Sequence, residues 1–246
     1  MKKIIIIFLL AISFSLVKGQ NIEKSYQLGN NEKLSLEFEY PELVKISTWN
    51  KQEVLIKAKV LINNMDATED FILSENRSSN QLVISSKLRN KDKYKNNYIT
   101  VADDKDDDEP VTVNRNGKSI TIGDKGKTYY HGTQIEIVLE ISLPKNAVVD
   151  VDAKYGMVEV LSAPKDLVVY AKYGGADVKI DEAGLKQLKA STSWGQIFSN
   201  LDSRLSVSGD DMLGKNMRAE FNGSKGANSV RVETEFGNVF LRKNQP

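Results

Sequence analysis

The chain has 246 residues, carries 34 basic against 33 acidic side chains, and contains one histidine and no cysteine. Near neutrality argues against nucleic acid or an anionic membrane surface as a partner, because both select strongly basic faces. Without cysteine there are no disulfides, and with one histidine the common zinc and copper sites are out of reach, so stability must come from burial and no cofactor is expected.

Residues 1–19 read as a cleaved signal peptide. Lys2 and Lys3 precede an apolar run from Ile4 to Val17, broken by Ser13 and Ser15, and Val17-Lys18-Gly19 precedes the expected cut. The run is shorter than the roughly 20 residues a membrane span needs, and no cysteine follows it to accept a lipid. The expectation is an exported protein, periplasmic or on the cell surface, with no transmembrane span after cleavage. What remains holds 31 basic and 33 acidic residues.

Residues 20–88 read as N-terminal strands of the repeating architecture found further on. Leu34, Leu36 and Phe38 alternate with polar residues, Tyr40-Pro41 marks a corner, and Val44, Ile46 and Thr48 resume the alternation after one extra residue, which suggests a bulge. Trp49 to Glu53 is a polar turn, and Val54, Ile56, Ala58 and Val60 begin another strand. Met65 to Phe71 fits a short helix or a loop, and Leu82 to Leu88 returns to strand.

Residues 89–132 break the pattern. The stretch 90–97 is rich in Lys and Asn, 103–109 is acidic, and 114–127 mixes charge with glycine. Val111 and Val113 with Ile120 and Ile122 predict a small hairpin about Asn116-Gly117, a favoured turn pair. The rest is expected to be an exposed, partly disordered insertion. His131 falls here and reads as an exposed loop histidine, since a triad base has to be rigidly held. The acidic run lacks the spacing of an EF-hand loop and is interrupted by Lys105, so it reads as solvated charge and not as a calcium site. Gly123-Asp124-Lys125-Gly126-Lys127 falls short of a phosphate-cradling P-loop. No catalytic, cofactor-binding or metal residue is predicted.

Ile135, Ile137, Leu139, Ile141 and Leu143 give a long clean alternation, stopped by Pro144. From Val149 to Leu241 one phrase then recurs: Ala153-Lys154-Tyr155-Gly156, Ala171-Lys172-Tyr173-Gly174, Thr192-Ser193-Trp194-Gly195 and Thr234-Glu235-Phe236-Gly237. The spacing of the last two copies leaves room for a degenerate one at Leu213-Gly214, with Met217, Ala219 and Phe221 resuming the alternation. Setting the copies on their glycines aligns Val149, Leu167, Leu188 and Val230, then Val151, Val169, Ala190 and Val232, and beyond the glycine Val158, Ala176, Ile197 and Val239.

Period-two alternation on both sides of a fixed glycine means two half-buried strands joined at a corner. Self-similarity at about 20 residues means stacked units, none able to bury its own apolar face. The predicted fold is all-β, a β-solenoid of right-handed parallel β-helix type with rungs of about 20 residues, its repeats occupying residues 133–246. Alternation places Tyr155 on the face of Val149, Val151 and Ala153, so the aromatic column is expected to point inward and pack in the core. The outer column Lys154, Lys172, Ser193 and Glu235, beside Asp152 and Tyr170, reads as a solvated face. Arg242, Lys243 and Pro246 are expected to blunt the last strand.

The run Leu-Glu-Ile-Ser-Leu-Pro-Lys-Asn-Ala at 139–147, followed by Val-Asp-Val-Asp-Ala-Lys-Tyr-Gly-Met-Val-Glu-Val at 149–160 and its echoes, resembles the putative-adhesin family of bacterial envelope domains. The likeness spans roughly Thr133 to Lys243, and Leu34 to Val60 more loosely. It implies a secreted or envelope β-solenoid, called an adhesin by analogy, with no catalytic residues to carry over; the partner expected is an unknown protein or glycan of the cell surface. The insertion at 89–132 and the aromatic corners depart from that family's pattern. The functional expectation is a non-catalytic binding or scaffold module. The alternatives are a carbohydrate-active β-helix enzyme, which needs acidic and basic side chains converging in an outer groove, and an envelope-stress regulatory partner.

Overall fold

The computed structural model describes residues 21–94, 98–103, 111–115, 118–122, 127–210, 215–224 and 226–244. The expected signal segment, most of the acidic run, the Asn116-Gly117 turn, residues 123–126, the Leu213-Gly214 copy and Pro246 lie outside them. Among the described residues the regular structure is β-strand apart from two short 3-10 turns, and no helix is long and apolar enough to cross a membrane.

The chain opens with β1 (Ile22–Gln27), β2 (Lys33–Phe38), β3 (Leu43–Trp49), β4 (Glu53–Ile62) and β5 (Met65–Asp66). A 3-10 turn at Thr68–Asp70 leads to β6 (Phe71–Arg77) and β7 (Gln81–Leu88), so the Met65 to Phe71 stretch is a two-residue strand paired with β4, a single turn and the first residue of β6. After a second 3-10 turn, Lys91–Tyr94, come β8 (Tyr98–Asp103), β9 (Val111–Arg115), β10 (Lys118–Ile122) and β11 (Lys127–Gly132). Then follow β12 (Ile135–Pro144), β13 (Val148–Ala153), β14 (Met157–Val160), β15 (Asp166–Ala171), β16 (Ala176–Ile180) and β17 (Leu185–Trp194). The last five are β18 (Ile197–Ser199), β19 (Ser206–Asp210), β20 (Lys215–Asn222), β21 (Asn228–Thr234) and β22 (Val239–Lys243).

Two nine-stranded mixed sheets carry the structure. One runs β1-β4-β12-β3-β14-β16-β22-β18 with β5 beside β4, and the other runs β19-β20-β17-β21-β15-β13-β2-β7-β6. The alternation read from the sequence sets the register. Leu36, Val151, Val169, Val232 and Ala190 lie side by side in parallel strands of one sheet. Val44, Val158, Ala176, Val239 and Ile197 do so in the other. All ten except Ile197 are buried, and one apolar cluster draws on both sheets. Each fully buried Val, Leu or Ile contributes on the order of 1.5–3 kcal/mol, so these paired columns hold the two layers together.

Spatial order departs from chain order. The final pair, β21 and β22, lies between β15–β16 and β17–β18, so the pair stacked beyond it is the earlier one in the chain. Met217, Ala219 and Phe221 do form a strand, but β20 runs antiparallel to β17, facing Thr192, Ala190 and Leu188, so it is no copy of the parallel units. The same ordering overturns the expectation about the last strand. β22, with Arg242 and Lys243, is internal, and the edge on that side of its sheet is the uncharged, three-residue β18. Shortness protects that edge where charge was expected to do so.

The insertion holds more strand than expected. β9 and β10 form the anticipated hairpin with Val113 opposite Ile120, and β8 pairs with β11 as a second two-stranded sheet. His131 is opposite Ile99 within that pair and is not a loop residue. Both chain ends of the segment converge on Asn63. Its side-chain amide donates to the Tyr94 carbonyl at 2.8 Å, its side-chain oxygen accepts from the Gln134 N–H at 2.9 Å, and its own N–H donates to the Gln134 carbonyl at 2.9 Å. Asn63 adopts φ 52°, a left-handed conformation that asparagine tolerates better than most residues.

Candidate functional site: the aromatic corner ladder

The recurring glycines stand directly above one another. A Cβ on Gly156 would overlap the Pro41 carbonyl oxygen, one on Gly174 the Gly156 oxygen, one on Gly237 the Gly174 oxygen, and one on Gly195 the Gly237 oxygen. Close axial approach of backbone to backbone therefore demands glycine at each corner, and at Gly156 a φ of 81° adds a conformational reason. Two buried threonines serve the column: Thr192 and Thr234 each donate a hydroxyl hydrogen bond to the Gly237 carbonyl, at 2.9 and 2.7 Å.

The corners are tied together through the backbone. Lys154 N–H donates to Phe38 O, Tyr173 N–H to Lys154 O, Phe236 N–H to Lys172 O, and Trp194 N–H to Glu235 O. The aromatic rings at these corners, Tyr40 before Pro41 and the others before glycine, are thereby held about one strand spacing apart. Tyr40 and Tyr155 stack at 5.7 Å between centroids, Tyr155 and Tyr173 at 5.2 Å, and Tyr173 and Phe236 at 5.3 Å, with interplanar angles of 4–17°. Trp194 belongs to the neighbouring outer unit, where Thr192 pairs with Thr234.

The column does not point into the core. Tyr155 is 39% exposed, Tyr173 47%, Phe236 52% and Trp194 55%, whereas Ala153 and Ala171, two residues before the first two rings, are fully buried. The reason is local. β13 and β15 end at those alanines, the next residues bend, and strand alternation is lost before the ring is reached. The inward assignment carried strand periodicity across a corner.

Lysines and carboxylates border the ridge. Lys91 Nζ sits 3.8 Å from the Tyr40 ring centroid, Lys154 Nζ 5.7 Å from Tyr155, and Lys172 Nζ 5.4 Å from Tyr173, within the range of cation–π attraction. Lys172 also pairs with Glu235 at 3.5 Å, and Tyr170 donates its phenolic hydrogen to Glu235 at 2.6 Å. That hydrogen bond, with burial next in weight, pushes the Tyr170 phenol up to about 12.

On the adjoining sheet face Glu37, Asp152, Tyr170 and Glu233 fall in one transverse row, and burial raises the Asp152 carboxyl above its ordinary range. The row brings carboxylates closer together than the sequence columns suggested, because β21 lies next to β15. Among the described residues no group of three or more His, Cys, Asp and Glu side chains is placed to hold a metal ion. The ridge presents ring edges, hydroxyls and bordering charge to solvent.

No protein-family model matches this chain, and no curated protein matches it. Two solved structures are similar. One, described as a "putative cell adhesion protein" from Clostridium sporogenes, has 11% identity and a TM-score of 0.47, covering 92% of this chain and 100% of that one. The other, described as a "putative adhesin" from Bacteroides fragilis, has 10% identity and a TM-score of 0.25, covering 92% and 98% respectively. Neither score is high enough to assign a fold, and the architecture rests on the strand pairing itself.

Proposed function

We propose that this protein is an exported, non-catalytic β-solenoid of right-handed parallel β-helix type, serving the cell envelope as an adhesin-like binding or scaffold module. Parallel pairing of successive strand–corner–strand units and the shared glycine column support the coil. The character of residues 1–19 supports export. The binding reading is carried by one observation: a continuous ridge of stacked aromatic rings lies open to solvent. Contiguous exposed aromatic surface of this kind marks interaction sites, and here it meets a protein or glycan of the cell surface.

Co-sedimentation with isolated envelope fractions, together with a glycan array, tests the proposal. The purified mature chain should be retained, and a Tyr155→Ser, Tyr173→Ser variant with an unchanged circular dichroism spectrum should lose at least about tenfold in affinity, as expected when a central aromatic contact is removed. Retention indifferent to both substitutions would sink the assignment.

The carbohydrate-active enzyme reading finds its best residues in the Asp152, Tyr170 and Glu233 row. Tyr170 is poorly suited to accept a proton at neutral pH, because its phenol is held as a donor to Glu235 and titrates near 12. Turnover of acidic polysaccharides that disappears in Asp152→Asn and Glu233→Gln variants would move the protein into that class.

A further inference from the structure

The short turn Lys91–Tyr94 closes one end of the ladder. Tyr155 and Tyr173 are covered by neighbouring rings on both faces, and Tyr40 is covered by Tyr155 on one. The other face of Tyr40 meets the Lys91 ammonium at 3.8 Å, and Lys91 is also 4.0 Å from Glu39. A flat ligand can therefore stack at this end only if Lys91 moves away.

Asp70, on the facing 3-10 turn, holds Lys91–Tyr94 in place. It is 5% exposed. Its carboxylate accepts the Tyr94 hydroxyl at 2.5 Å, the Asn90 side-chain amide at 2.6 Å and the Lys93 ammonium at 3.4 Å, while its carbonyl accepts the Arg89 N–H at 2.7 Å. Asn63 secures the Tyr94 carbonyl from the other side. Exposed surface ion pairs contribute little, so the Lys91–Glu39 contact alone is a weak fastening. The buried carboxylate with its converging donors is the strong one, and severing it costs several charge-assisted hydrogen bonds together.

From these contacts we infer that the Lys91–Tyr94 turn is a latched cap on the aromatic ladder: Asp70 is the latch, and its release frees the outer face of Tyr40 to stack on a sugar ring. The consequence for binding builds on the ladder as contact surface, whereas the latch stands on the Asp70 cluster alone. Lys93 and Tyr94 are the titratable groups facing Asp70. The Tyr94 hydrogen bond, followed by those of Asn90 and Lys93, holds the Asp70 carboxyl below its ordinary range. A depressed carboxyl pKa stabilises the closed form above the unfolded value, and that contribution is lost as pH falls through the folded value. The closed cap is thus favoured at neutral pH and loses this contribution as pH falls through the lowered Asp70 value.

Hydrogen–deuterium exchange tests the latch. Asp70→Asn should speed exchange of the 91–94 amides at least about tenfold at neutral pH, with β13 and β15 unchanged. After correction for intrinsic rates, the wild type should approach that level in acid while Asp70→Asn stays flat. Binding of a β-1,4-linked N-acetylglucosamine tetramer tests the cap. Lys91→Ala should strengthen it about threefold, the scale of an exposed cation–π contact, and adding Tyr40→Leu should remove the gain.

Unchanged exchange in Asp70→Asn, or tetramer binding indifferent to Lys91→Ala, would overturn the inference. The exchange arm is independent of the envelope-retention experiment on Tyr155 and Tyr173, so failure of the ladder as a contact surface is visible separately from failure of the latch.

Discussion

At the scale of single residues, the corner glycines separate two demands that sequence alone merges. Gly174 has no left-handed φ to satisfy, yet any side chain there overlaps the Gly156 carbonyl. Gly174→Ala must displace one whole unit from the next and is expected to destabilise by about 3 kcal/mol, the upper part of the overpacking range. Gly29→Ala, whose new methyl meets only Glu32 at ordinary contact distance, should stay within about 0.5 kcal/mol by urea denaturation.

The threonine pair offers a coupled test. Thr192→Val or Thr234→Val alone leaves the Gly237 carbonyl one hydroxyl donor, costing about 1 kcal/mol, and the double variant should cost more than the sum. Tyr170 gives a titration. Because its raised pKa depends first on Glu235, Glu235→Gln should lower it in an ultraviolet phenol titration. The Tyr170 contribution to stability is full below the unfolded tyrosine value and fades as pH rises through about 12.

At the scale of elements, columns set on the glycines were legible because strand alternation and parallel pairing share one period. Val149 does lie beside Leu167, and Leu188 beside Val230. What failed was local to corners and ends. Alternation could not carry the orientation of Tyr155 through the bend, and the charge in β22 resembled an edge signal although that strand is internal. The extra pair in the insertion had left a trace, since Tyr98-Ile99-Thr100-Val101 and Thr128-Tyr129-Tyr130 are rich in β-branched and aromatic residues. Surrounding lysines, aspartates and glycines masked it.

The Asn63 clamp was invisible, because nothing in a lone Asn-Asn pair announces partners 31 and 71 positions away. Asn63→Ala should cost about 2 kcal/mol, since it leaves the Tyr94 carbonyl and the Gln134 N–H without their partners in a buried setting. Thermal denaturation of that variant, set beside Asn64→Ala, checks the figure.

At the scale of the whole molecule, the interleaved order of units decides how the protein holds together. In a linear stack each unit touches only its sequence neighbours, so cutting off the final one removes a single interface and spares the rest. Here the final unit is internal: β21 lies between β15 and β17, and β22 between β16 and β18. Ending the chain at Gly226 would remove β21 and β22 and strand β17, β18 and β20 with no sheet partner toward β15 and β16. Val230, Val232, Val239 and Leu241, all buried, would leave with them. The truncated protein should therefore lose exchange protection from Leu185 to Asn222 in one step while β2, β13 and β15 remain slow. Protection that fades only locally, next to the cut, would mean that the units stack in chain order after all.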